Sequence, residues 1–308
     1  LWGLARLGHR PPAGWMEEYL EAAEARLVAF HPGNLAQLAW ALGALRYAPR
    51  GGWLGGFLAE ASEKLPGFAP RDLANALWAL AVLGVRPPPE WLRDAAMAME
   101  PHFECLQPPQ RGGSAAAPHG REASGGGGGG QGATEGAEQR GWRGGEEEPW
   151  HGGGRAWGRA GWRQAQLPGG FSPDELSISS WGLARLGYSP PAEWVDVLAA
   201  AALPLMPAMG AQEAATLLWA LQRWRRPLSP RAHAAVGGGA LAALRRAPPD
   251  AHALAVTARA LTRLGARPGA QGAAALMRLS HGQRGAMSAR QMAKAAAALP
   301  DTIIDAEI

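Results

Sequence analysis

The sequence predicts an all-α fold: an α-solenoid of about six to seven helical-hairpin repeats of 38 residues, interrupted once by a glycine-rich insertion. Tryptophan recurs at one interval, because 38 residues separate Trp2 from Trp40, Trp40 from Trp78, and Trp181 from Trp219. Each of these tryptophans opens a similar string of leucine, alanine and glycine. Self-similarity at a period of roughly 20 to 50 residues is typical of units that bury their apolar surface only by stacking on neighbours.

A second tryptophan follows the first by thirteen residues in four copies, and in three of them it closes a proline-rich string. Two weaker copies continue the series, with Arg259 and Ala297 in the register of the first tryptophan after one step of 40 residues. The second tryptophans are Trp15, Trp53, Trp91 and Trp194.

The first helix of each copy is located by its ends. Ser172, Pro173 and Glu175 supply an N-cap, a proline at the first helical position and the acidic partner of a capping box. The helix is predicted to end about four turns later at a glycine cap. The glycines in that register are Gly8, Gly84, Gly187 and Gly265.

The second helix is predicted to begin inside the proline-rich string, because the first turn of a helix accepts proline. Its apolar positions are the second tryptophan and the residues one, four and five places later. In one copy these are Trp53, Leu54, Phe57 and Leu58. Each copy is therefore a hairpin of two amphipathic helices.

One narrow strip of the first helix is predicted to face solvent. With the first tryptophan at position zero and about 100° per residue, leucines and tryptophan take opposite sides, which leaves positions −7, −6, −3, +1 and +4. We expect this strip to line the inner curve of the solenoid, as in helical repeats that read single-stranded RNA. The candidate RNA contacts are Gln37, Asn75, Thr216 and Lys294 at −3, Asn34 and Asp72 at −6, and Arg6, Arg185, Arg223 and Arg263 at +4.

Structural roles compete with RNA contact at these positions. The tryptophans and leucines are expected in the core, acidic residues at −6 also suit helix N-termini, and arginine at +4 also offsets the helix dipole. Arginine supplies nearly all of the positive charge behind the net charge of +4. Arginine favours phosphate and base contacts, but a GC-rich coding sequence would also raise the alanine, glycine, proline and arginine content together.

The sequence carries no pattern of catalysis, metal binding or cofactor binding. Cys105 is the single cysteine, so no internal disulfide is expected, and the histidines form no metal-ligand pattern with it. No glycine-rich phosphate loop and no nucleophile-base constellation is found, and no apolar stretch approaches the roughly 18 residues of a membrane span. We therefore expect a protein that is no enzyme, holds no cofactor or metal and has no membrane span.

Four segments are predicted: helical repeats at 1–105, an insertion at 106–170, helical repeats with degenerate last copies at 171–300, and the chain end of a fragment at 301–308. The insertion contains the glycine run 125–130, a composition that predicts disorder. Its arginines and tryptophans suit contact with single-stranded nucleic acid, and a low-complexity insertion without function is the other interpretation.

The string from Pro87 to Trp91 reads Pro-Pro-Pro-Glu-Trp at a fixed phase of the 38-residue period. In this the chain resembles the octotricopeptide repeat (OPR) family of green-algal organellar proteins, which is related to FAST-kinase-like proteins and RAP-domain proteins. The strings ending at Trp194 and Trp15 match at four and three places. The resemblance covers 1–105 and 171 to about 299, and no RAP-like segment is visible before Ile308.

The resemblance implies a protein that binds single-stranded organellar RNA, in the chloroplast or alternatively the mitochondrion. It implies a role in the stability, processing or translation of a transcript, together with other RNA-processing or translation proteins. The competing function is a protein-binding α-solenoid scaffold without direct RNA contact, because other helical solenoids present the same kind of surface to protein partners.

Overall fold

The computed structural model describes residues 1–104, 170–246, 251–266, 270–283, 285, 287–288 and 291–293. All regular structure in those ranges is helical, which confirms the all-α prediction. The α-helices are α1 (Trp2–Leu7), α2 (Ala13–Glu24), α3 (Pro32–Leu45), α4 (Trp53–Lys64), α5 (Pro70–Leu83), α6 (Pro89–Glu104), α7 (Pro173–Arg185), α8 (Ala192–Ala202), α9 (Ala211–Trp224), α10 (Pro230–Arg246), α11 (Ala251–Leu264) and α12 (Ala270–Gly282). Short 3-10 helices follow α2, α4 and α8, at Leu27–Ala29, Leu65–Gly67 and Leu203–Leu205.

The helices form two rows that alternate along the chain. The first helices of the sequence copies are α1, α3, α5, α7, α9 and α11, and each packs against the first helix before and after it. The second helices, α2, α4, α6, α8, α10 and α12, pack on one another in the same order but less closely. Contacts between sequential neighbours of this kind agree with the predicted solenoid.

Small side chains allow the close approach of the first helices. Position −4 carries alanine or serine and is buried in the five copies from Trp40 to Arg259, for example at Ala36 and Ser177, whereas Ala293 in the last copy is exposed. A Cβ atom on Gly43 would lie 2.9 Å from the Trp78 ring and 3.0 Å from Cα of Ala79. The first tryptophans lie along the same row, with Trp40 and Trp78 stacked at 6.4 Å between ring centroids. The predicted burial of the first tryptophan is confirmed for Trp40, Trp78, Trp181 and Trp219.

The first copy departs from this prediction. Trp2 and Trp15 are 39% and 40% exposed, whereas their counterparts Trp40 and Trp53 are buried. The physical reason is coverage, because a tryptophan of a later copy contacts a helix on each side, and in the described part of the chain no helix covers the outer face of α1 and α2.

The second helices are joined by indole hydrogen bonds that recur in one register. Nε1 of Trp53 donates to the carbonyl oxygen of Leu20 at 3.0 Å, 33 residues earlier. Nε1 of Trp194 donates to the carbonyl oxygen of Ala96 at 3.3 Å. The second pair has the same register once the 65 extra residues of the interrupted copy are discounted. At Trp53 and Trp194 the second tryptophan therefore fixes the axial position of one hairpin on the next, whereas the buried Nε1 of Trp91 has no hydrogen-bond partner among the described residues.

Basic side chains at the ends of second helices bind carbonyl oxygens at the end of the preceding hairpin. Nζ of Lys64 donates to three carbonyl oxygens within 27–30, at 3.3, 2.7 and 2.7 Å. Nε2 of His102 lies 3.2 Å from the carbonyl oxygen of Phe68, in the same register. Arg246 donates to two carbonyl oxygens that follow α8, at 2.9 and 2.7 Å. Helix C-terminal carbonyls favour nearby cations such as Lys64 and Arg246, so these contacts stabilise the stack.

The helix stack is continuous across the sequence interruption. Helices α5 and α7 pack directly, as successive first helices do elsewhere. The Phe103 and Phe171 rings, which flank the interruption, lie 5.8 Å apart. Nε of Arg71 lies 3.3 Å from Oε1 of Glu175, which joins the starts of α5 and α7. The prediction of disorder for 106–170 falls almost entirely on residues outside the described ranges, as does all that was predicted of 301–308.

The predicted helix caps are confirmed. The Ser172 hydroxyl accepts from the Glu175 N–H at 3.4 Å, and the Glu175 carboxylate accepts from the Ser172 N–H at 3.0 Å. The glycines predicted at the helix ends all have positive φ, between 69° and 88°. In the described copies this local chemistry, which depends on few residues, follows directly from the sequence.

Candidate nucleic-acid interface

Among the described copies, position −3 keeps exposure only in the first block of repeats. Gln37 is exposed and Asn75 is half-buried. Thr216 is 1% exposed, and its hydroxyl donates to the carbonyl oxygen of Gln212 in its own helix at 2.8 Å. The prediction that Thr216 belongs to an exposed strip is therefore wrong, and the fourth −3 candidate, Lys294, lies outside the described residues.

The helical-wheel argument considers each first helix alone and omits the first helices on either side of it. It covers two sides of each first helix, but a first helix also contacts the first helices before and after it. Position +1, predicted in the exposed strip, is consequently buried in every described copy after the first. The buried residues at −3 and +1 are Ile178, Thr216, Val256, Ala41, Ala79, Gly182, Ala220 and Ala260.

Position −6 lies at the start of the first helix and there serves mainly the fold. Asn34 is exposed, but Asp72 is half-buried and accepts a hydrogen bond from the Ala69 N–H at 3.1 Å. Burial raises the pKa of Asp72, while the Ala69 hydrogen bond and the nearby charge of Arg71 act to lower it. Glu175 in the same register is buried in its capping box and ion pair. At Asp72 the role in helix initiation is the one that the geometry supports.

Position +4 keeps the predicted exposure. Arg6, Arg223 and Arg263 are exposed, and Arg185 is partly exposed. All four lie in the last turn of a first helix, where a cation also opposes the helix dipole. The guanidinium carbon of Arg6 lies 5.3 Å from the Trp2 ring centroid, a cation-π contact.

Further arginines follow in the connections from first to second helices. The second helix of each hairpin runs antiparallel to the first. Successive first helices therefore run in the same direction, and their C-terminal ends lie along one edge of the helix rows. We call the arginines along it the arginine edge. Its members are Arg6, Arg10, Arg46, Arg50, Arg86, Arg185, Arg223, Arg225, Arg226 and Arg263, all exposed except the partly exposed Arg185.

Acidic side chains also lie near this edge. Glu90 and Glu193 are exposed in the first turns of α6 and α8, close to the same edge. Contacts between neighbouring connections order it, since Arg226 donates to the carbonyl oxygen of Pro190 at 3.0 Å and to the Ser189 hydroxyl at 3.2 Å. Such an edge offers a row of guanidinium groups to a polyanion.

The helical-wheel argument did not predict six of the ten arginines of the arginine edge, because they lie in the connections after the first helices and not in the helices themselves. The signal that identifies them is their phase, since every member falls four to ten residues after position zero. Two of them, Arg46 and Arg225, occupy the register of the glycine caps and have φ of 52° and 53°.

No group of three or more histidine, cysteine, aspartate or glutamate side chains in the described residues is placed to hold a metal ion. None of the described helices combines the length and apolar character needed to span a membrane. Comparison with protein-family models and with curated protein sequences finds no match to this chain.

Proposed function

We propose that the chain is an α-solenoid of about six to seven 38-residue hairpin repeats, of the OPR type, that binds single-stranded RNA in an organelle. The expected compartment is the chloroplast, with the mitochondrion as the alternative. The function is post-transcriptional control of an organellar transcript, through its stability, processing or translation, without catalysis by this chain. The observation that carries the proposal is the arginine edge.

The chemistry of arginine supports this RNA-binding function. A guanidinium group is permanently charged, donates in a fork that matches phosphate, and stacks on bases. Along the arginine edge such groups recur from copy to copy, so that a flexible polyanion can contact several of them at once. Base preference is expected from Gln37 and Asn75, the −3 side chains that retain exposure.

Fluorescence anisotropy with labelled single-stranded RNA tests the arginine contacts. Arg223→Ala with Arg263→Ala is expected to weaken binding to all sequences, and to reduce the slope of log affinity against log salt by about 0.7 per residue. Arg26→Ala with Arg245→Ala is the matched control, because these arginines are exposed at the ends of second helices. Equal losses in both double variants would remove the arginine edge from the proposal.

Base reading requires a separate test. With 20-nucleotide homopolymers of A, C, G and U, Gln37→Ala with Asn75→Ala is expected to change the order of preference, since amide side chains pair with base edges. The arginine variants should lower all four affinities together. Unchanged preference in the amide variant would restrict the proposal to binding without sequence selection.

One observation favours the alternative function, a protein-binding scaffold. The first hairpin exposes Leu7 and Val28 to 83% and 79%, and Trp2 and Trp15 to 39% and 40%. Large apolar side chains left exposed within one hairpin suit a protein partner. If the purified chain ignores RNA at every salt concentration and retains protein partners after nuclease treatment, the scaffold function replaces RNA binding.

A further inference from the structure

Two arginines of the arginine edge adopt a backbone conformation that is unfavourable for residues other than glycine. Arg46 has φ 52° and ψ 40°, and Arg225 has φ 53° and ψ 30°. They are the non-glycine residues with positive φ among those the structure describes. For residues with a Cβ atom this left-handed region is unfavourable, because Cβ approaches the following carbonyl oxygen.

Glycine occupies the same position in the other four copies for which the structure describes this position. Gly8, Gly84, Gly187 and Gly265 all have positive φ and end their helices in the same way. The hydrogen bonding is also alike, since the Tyr47 N–H donates to the Leu42 carbonyl oxygen at 3.0 Å, as Val85 does to Leu80. At Arg46 the cap is therefore closed as it is beside a glycine, and the side chain adds nothing to it.

The guanidinium groups of Arg46 and Arg225 also have no partner among the residues that the structure describes. Both side chains are exposed, and within the described ranges neither makes a hydrogen bond or an ion pair. The adjacent Arg226 differs, because it is bonded to the preceding connection and holds that loop in place. Arg46 and Arg225 thus combine an unfavourable backbone with an unused charge.

We propose that Arg46 and Arg225 contact phosphate groups of bound single-stranded RNA, and that this contact accounts for arginine at positions that favour glycine. The inference rests on the RNA-binding function proposed above. Helix dipole compensation is the competing explanation, because each residue follows the C-terminus of a first helix. The two explanations predict opposite changes in the stability of the free protein when these arginines are replaced by glycine. If arginine compensates the helix dipole, the replacement lowers the stability. If arginine serves phosphate contact, the replacement removes uncompensated backbone strain and raises the stability.

The test uses the purified 308-residue chain, a labelled 20-nucleotide uridine RNA and thermal unfolding without RNA. Arg46→Gly with Arg225→Gly is expected to raise Tm by about 2 °C or more, since the strain is removed. The same variant should lose about 1.4 from the slope of log affinity against log salt, about 0.7 for each contact. Arg46→Gln with Arg225→Gln should lose the same slope without the rise in Tm.

A reciprocal variant places the strain and the charge together at a glycine position. Gly84→Arg is expected to lower Tm and to increase the salt slope by about 0.7, because it adds one guanidinium to the arginine edge. Arg26→Gln with Arg245→Gln controls for the loss of two positive charges elsewhere on the surface.

Failure of this inference is distinguishable from failure of the proposed function. If the wild type binds RNA and the Arg46→Gly with Arg225→Gly variant keeps its affinity and salt slope, the phosphate contact is refuted while RNA binding stands. A fall in Tm in that variant, or an equal loss of affinity in the Arg26 and Arg245 control, refutes it as well. If the wild type shows no salt-dependent binding to any RNA, both proposals fail together.

Discussion

Gly182 provides a sharp test of how the two repeat blocks join. It lies at position +1 of α7, and a Cβ atom there would be 2.8 Å from Cβ of Leu77 and 3.1 Å from its carbonyl carbon. Neither contact can be relieved by rotating a side chain, because the atoms that meet the new methyl group belong to the backbone and to Cβ. Gly182→Ala therefore forces α7 away from α5.

Two opposing effects set the magnitude. Alanine is more favourable than glycine in a helix by about 1 kcal/mol, whereas overpacking typically costs about 1 to 3 kcal/mol. The upper part of that range applies because a backbone must move, so the free energy of unfolding should fall by about 1 to 2 kcal/mol. Gly3 supplies a matched control at the same position of α1, where an added Cβ meets nothing within 4 Å. Gly3→Ala should be neutral, or stabilising by at most about 1 kcal/mol.

Urea unfolding followed by far-ultraviolet circular dichroism measures both variants against the wild type. We expect the midpoint to fall for Gly182→Ala and to stay or rise for Gly3→Ala. A Gly182→Ala variant as stable as the wild type would contradict the close packing of α5 on α7, and with it the continuity of the stack across the interruption.

Three further predictions concern polar contacts within the stack. Lys64→Met should lower the free energy of unfolding in urea by about 1 to 3 kcal/mol, because three helix-end carbonyl oxygens lose their donor. Arg71→Met should lower it by at most about 3 kcal/mol, since buried Glu175 loses its counter-ion while Arg71 itself is partly exposed. Asp72→Asn should stabilise the fold near neutral pH, and this gain should fade as pH falls through the raised folded-state pKa of Asp72 towards its unfolded value.

Each of these predictions has its own control. Arg26→Met, in the register of Lys64 but exposed, should leave the urea midpoint unchanged, and an equal loss would contradict the role given to the carbonyl contacts. Adding Glu175→Gln to Arg71→Met should recover part of the loss, because no buried charge then remains. For Asp72→Asn, an advantage that grows towards acid pH would have the wrong sign, since protonation of Asp72 favours the folded state in the wild type.

The parts of the fold that depend on few neighbouring residues were predictable from the sequence. The capping box of Ser172, the positive φ of the glycine caps and the buried face of α4 each follow from a short stretch of chain. The exposed strip of the first helices was not predictable in this way, because its extent depends on which helices lie on either side. Residue type carried part of the missing signal, since position −3 is apolar at buried Ile178 and Val256, but it does not identify Thr216, which is polar and buried.

The candidate site shows the same division. Arginine at +4 was predictable from its place on the helix, whereas Arg46 and Arg225 became candidates only once their backbone angles were known. Their alignment with glycines in other copies gives the register, but it does not show that an arginine has adopted the glycine conformation.

The contact between Phe103 and Phe171 makes the register of the array independent of how many residues separate them along the chain. Even for a flexible linker, each doubling of length adds only about 0.6 kcal/mol of closure entropy. This junction is therefore a place where evolution can lengthen, shorten or exchange an entire passage of sequence while the surrounding scaffold keeps its geometry. A reporter domain or an affinity tag could likewise be inserted at this junction without disturbing the arginine edge.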